Sequence, residues 1–74
     1  MRAIDIKAVL RTARIMIANL NDCPDTVRLE HHAHEIKRYV FALHHVKIID
    51  EQQRNLLINE MLIAFDKREP KILV

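Results

Sequence analysis

The longest regular alternation of apolar and polar positions runs from Asp25 to Val46. Leu29, Ala33, Ile36, Val40 and Leu43 recur at intervals of four, three, four and three. That is the spacing of one face of an α-helix. Two other segments keep the same period. Ile6, Val9, Ala13, Met16 and Leu20, widened by Leu10 and Ile17, precede it; Leu57, Ile58, Met61, Leu62, Ala64 and Phe65 follow it. The pattern predicts helices over approximately 3–20, 25–45 and 50–67, with an apolar tail at 70–74.

The breaks between these segments carry capping signals. In Asn21-Asp22-Cys23-Pro24-Asp25, Asp22 or Cys23 is the expected cap. Pro24 then falls in the first turn, and Asp25 sits near the positive helix end. Apart from Lys47, Val46 to Ile49 is apolar and β-branched, so it is expected to pack down on the core. Asp50 reads as the next cap, with Gln53 at the reciprocal capping-box position. Lys67 and Arg68 complement a helix C-terminus, and Pro70 is expected to stop the helix. The tail from Lys71 to Val74 then docks or frays.

These elements make one all-α domain spanning 1–74. The long central helix and the C-terminal helix form an antiparallel hairpin, and the N-terminal helix packs alongside. Half of the residues are apolar, yet only Tyr39, Phe41 and Phe65 are aromatic. The core must therefore be aliphatic. The absence of glycine argues against tight loops and against glycine-rich phosphate cradles.

Each helix also carries apolar residues away from its core face: Ile4 and Ile15, Val27 and Phe41, Leu56 and Ile63. Phe41 lies about 140° around the helix from Ile36 at 3.6 residues per turn. His34, Arg38 and His45 share its strip. A chain of this length buries only roughly 60% of its unfolded surface, about one face per helix. The second strips are therefore read as partner-binding surfaces. Self-association accounts for them most economically, with two helical hairpins joining as a dimeric bundle.

Charge changes this picture little. Twelve basic and ten acidic residues leave a net charge of +2, too weak by itself to imply nucleic acid. Lys7, Arg11 and Arg14 form a basic ridge on the first helix. It reads as a solvated face; the alternative is contact with phosphate or with an acidic partner. Glu51, Glu60 and Asp66 on the third helix argue against that helix reading DNA. No charged-then-apolar leader and no bilayer-length apolar run is seen, so no membrane partner is expected. The single cysteine excludes an internal disulfide and suits a reducing, cytoplasmic setting.

Candidate chemistry is sparse. All five histidines lie on the central segment. His31 and Glu35 are four apart, as two metal ligands on a helix would be, and His34 is three from His31. One helix offers two good ligands and rarely three, so neither metal nor cofactor is expected. Protonation of His34 and His45 in mild acid would place charge beside an interface. There is no serine, and Thr12, Thr26 and Tyr39 supply the only hydroxyls, so no nucleophile–base pair is evident and no enzyme is expected. Cys23 reads as a small half-buried filler at a hinge. The expected function is that of a small protein–protein interaction module: a regulator, adaptor or inhibitor acting on an unidentified protein partner and on itself. The alternative is a nucleic-acid-binding helical dimer using Lys7, Arg11 and Arg14.

Overall fold

Helix α1 spans Ile6–Ala18 and begins where Asp5 can cap it. The Asp5 carboxylate accepts hydrogen bonds from the backbone N–H groups of Lys7 and Ala8 at 3.0 and 3.3 Å. The helix therefore starts later than the expected residue 3, because Asp5 has extended, non-helical backbone angles. A 3₁₀ turn over Asn19–Asp22 finishes it. Helix α2 covers Thr26–His45 and helix α3 covers Glu51–Leu73. This computed structural model describes residues 5–73. Among them the protein is all-helical, three helices with no strand.

The cap of α2 is neither Asp22 nor Cys23, as expected, but Asp25, whose side chain accepts from the Arg28 N–H at 2.7 Å. Asp22 closes the preceding turn, and Cys23 is held extended by the proline that follows it. Pro24 consequently precedes the cap and does not enter the first turn. At α3 the expected reciprocal box forms. The Gln53 N–H donates to Asp50 Oδ1 at 2.8 Å, and the Asp50 N–H donates to Gln53 Oε1 at 3.0 Å.

Helix α2 ends in a tight turn normally built with glycine. The Ile48 N–H donates to the Leu43 carbonyl at 2.9 Å, and the Lys47 N–H donates to the His44 carbonyl at 3.0 Å. This is the Schellman pattern, and it places Lys47 at φ 63°. Lack of glycine did not exclude a tight loop; a lysine with its side chain in solvent occupies the left-handed position. Ile49 follows into the core and is buried, while Val46 remains exposed. Lys47→Gly is expected to stabilise the fold by about 1 kcal/mol, because only a residue with a Cβ is penalised there. A rise in urea midpoint at unchanged slope would show it; an unchanged midpoint would count against the strain.

Pro70 does not stop α3, contrary to expectation, and 70–73 are helical instead of forming a separate tail. Proline removes one N–H and crowds the carbonyl four residues earlier, but Ile72 packs against the core and holds the last turn in place.

The five predicted core residues of α2 are all buried. Ala13, Ile17 and Leu20 meet them from one side, and Leu57, Met61 and Ile49 from the other. Two expectations fail. Ile6, at the open end of α1, and Leu62, on α3, are both exposed. The helices run antiparallel in sequence order. Arg54 at the start of α3 lies beside His44 at the end of α2, and Arg68 reaches back to Cys23 before α2 begins. The resulting rod measures 49 × 20 × 16 Å.

Two polar contacts tie α3 to the earlier part of the chain. Arg14 of α1 forks onto Glu60, Nε to Oε1 and Nη2 to Oε2, both at 3.4 Å. Arg68 donates through Nε and Nη2 to the Cys23 carbonyl at 2.9 and 2.8 Å.

Candidate interaction surfaces

Apolar side chains left in water are found on all three helices. Ile15, Val27, Phe41, Leu56 and Ile63 are between 47% and 76% exposed. His34, Arg38 and His45 are exposed as well. Ile4 lies outside the described residues. These positions do not form one surface; the bundle distributes them over three.

The first surface is the groove between α2 and α3. Phe41 lines one half with Arg54, Asn55, Ile58, Asn59 and Leu62. His34 lines the other half with Glu30, Ala33, Lys37, Leu62 and Phe65. Leu62 belongs to both halves. The Arg54 guanidinium stands over the Phe41 ring, 5.9 Å from its centroid, within reach of a cation–π attraction. It is held there by several neighbours. Arg54 donates to Asn55 Oδ1, lies 3.5 Å from Glu51, and its Nη1 is 3.5 Å from His44 Nδ1. The polar rim of Phe41 is thus Arg54 from the next helix, a contact that no spacing within α2 reveals.

The second surface lies between α1 and α3. Ile15 shares a shallow depression with Lys7, Leu10, Arg11, Arg14 and Ala18. Leu56 and Ile63 stand four before and three after Glu60, so they share the flank of α3 that Arg14 grips. The ion pair consumes part of the expected basic ridge: Lys7 and Arg11 remain, while Arg14 faces a carboxylate.

Val27, Arg38 and His45 lie on a third side, along the outer ridge of α2 and spread over about 27 Å. Val27 is about 21 Å along the helix from Phe41, so the two cannot anchor one small contact.

The histidine cluster pairs locally. His31 Nε2 lies 3.0 Å from Glu35 Oε1, and His32 Nδ1 lies 4.0 Å from Glu35 Oε2. His34 turns toward the α3 groove instead. Among the described residues no three His, Cys, Asp or Glu side chains are grouped to hold a metal. Cys23 is buried, and its thiol donates weakly to the Asn19 and Arg28 carbonyls. Among the described residues no helix is long and apolar enough to cross a membrane.

Of two residues that matter here, Leu62 was assigned to the core face and Arg54 was not singled out from the sequence. Leu62 is five residues beyond Leu57, about 140° around the helix. The angular test that isolates Phe41 from Ile36 would have isolated Leu62 from Leu57. Arg54 had no comparable signal, since its partner belongs to another helix. Comparison of the chain with protein families, curated proteins and solved structures found no match.

Proposed function

We propose that this chain is a non-enzymatic protein–protein interaction module, a regulator, adaptor or inhibitor that occupies a partner's surface and also assembles with itself as a dimeric helical bundle. One observation carries the reading: large apolar side chains stand in water on every helix, and at helical spacing on α2 and α3, of a rod whose core is already complete without them. Monomeric proteins scatter single exposed apolar residues, whereas grouped ones mark contact sites. The absence of serine and the local pairing of the histidines support a binding role over a catalytic one. The basic ridge supports nucleic-acid binding less well, because Glu60 neutralises Arg14. The single thiol suits a reducing, cytoplasmic setting.

Phe41→Glu tests the reading. Phe41 is half-exposed, so the new carboxylate remains hydrated and the helix content stays that of the wild type. The variant is expected to run as a monomer in light scattering, or to lose a protein that the wild type retains from its native host. A variant that keeps its fold, its mass and every retained protein would remove Phe41 from the interaction surface. Collapse of the fold would show that Phe41 is structural.

A further inference from the structure

Along α3, Arg54, Ile58, Leu62, Phe65 and Glu69 follow one another at intervals of four, four, three and four. That spacing keeps them on one flank of the helix. Four of the five line the open groove between α2 and α3, with Leu62 at its centre and 45% exposed. The stripe changes sign along its length, with the Arg54 guanidinium, already 3.5 Å from Glu51 and about a quarter exposed, at one end, apolar side chains in the middle and a carboxylate at the other end. Arg54 lies about 12 Å before Leu62 and Glu69 about 10 Å after it. Glu69 has no ion-pair partner within 4.0 Å among the described residues. On α2 the same face shows Glu30 and Lys37 on opposite sides of His34.

A stripe that reverses its charge about its own midpoint is complementary to itself when rotated by a half turn. The geometry points to a second copy of this chain as the occupant of the α2–α3 groove, docked antiparallel about a two-fold axis at Leu62. Leu62 then meets the partner's Leu62, Ile58 meets the partner's Phe65, and Arg54 meets the partner's Glu69. The available surface is of the right size. The 23 residues of α3 span about 34 Å, and two helices abreast are about 20 Å wide. The face thus presents roughly 700 Å² in projection, close to the roughly 800 Å² per partner of a standard interface. The pairing leaves Ile15, Leu56 and Ile63, on the α1 side, open to a different protein. This inference rests on the self-association proposed above and adds which face is used and in what orientation.

Charge exchange tests it. Arg54 and Glu69 are fifteen residues apart on one helix, about 22 Å, and cannot touch within a chain. Any interaction between them is therefore between copies. Sedimentation equilibrium of the wild type should give twice the 8.8 kDa of one chain. Arg54→Glu and Glu69→Arg should each weaken the dimer by about tenfold or more, because like charges then face each other. The double variant R54E/E69R should recover the wild-type mass. Circular dichroism on each variant confirms that the helices are intact. Arg54 also loses its contacts to Glu51 and His44 in the double variant, so recovery cannot come from within the chain. A dimer unmoved by either single exchange, or not restored by the double one, overturns this face and leaves self-association through another surface standing. A wild type that stays monomeric at every concentration overturns the two-fold itself. Binding of a different protein in the α2–α3 groove is then judged by Phe41→Glu.

Discussion

Ile36→Ala should cost about 2–5 kcal/mol of folding stability, the usual range for truncating a fully buried aliphatic side chain. Ile36 has no exposed surface and lies at the centre of the α2 face that both other helices cover. A domain of 74 residues has roughly 4–11 kcal/mol in total, so the loss leaves a substantial unfolded population at moderate temperature. Urea unfolding followed by circular dichroism measures it directly. A change below about 0.5 kcal/mol, the size of a surface substitution, would mean that the helices pack on another face. The contrast with Phe41, five residues further on, is the informative part. One substitution is expected to act on folding and the other, on the function proposed above, on association, although both remove large apolar groups from the same helix.

Arg68→Leu should cost about 1–3 kcal/mol. Its two N–H groups satisfy the Cys23 carbonyl at a corner where neither residue is freely exposed, and hydrogen bonds from a charged donor are stronger than neutral ones. Leucine keeps the apolar part of the side chain and removes only the donors. Arg68→Lys should retain most of the loss, because an ammonium cannot reproduce a two-pronged contact. Full recovery by lysine would show that charge near the end of α3, and not the fork, is what matters there.

The parts of the fold governed by local chemistry were legible beforehand. The 3.6-residue period marked the buried face of α2 without error, since burial on a helix leaves its trace in the spacing of Leu29, Ala33, Ile36, Val40 and Leu43. Asp50 and Gln53 announced their reciprocal cap because both partners lie within one turn. The features missed are those in which one residue answers to another far along the chain. Arg14 with Glu60, Arg54 with Phe41 and Arg68 with the Cys23 carbonyl each join different elements. No periodicity within a segment encodes them. Pro70 was misread, and the tight turn at Lys47 was not expected, for a related reason. Each breaks a local preference worth roughly one to a few kcal/mol, and packing by Ile72 and Ile49 outweighs it. The second apolar strips were found helix by helix, but their division among three surfaces depends on how the helices are rotated against one another.

The corner where Arg68 grips Cys23 also holds the only thiol of the chain, 8% exposed. A soluble thiol reagent reaches that sulfur chiefly when the corner opens, so the pace of its modification reads the opening of this one region and not of the whole rod. When reclosure outruns labelling, the rate gives the equilibrium between shut and open. When labelling outruns reclosure, it gives the time the corner stays shut. The chain therefore carries its own clock, placed where the first helix hands over to the second and wound by a side chain near the end of the third.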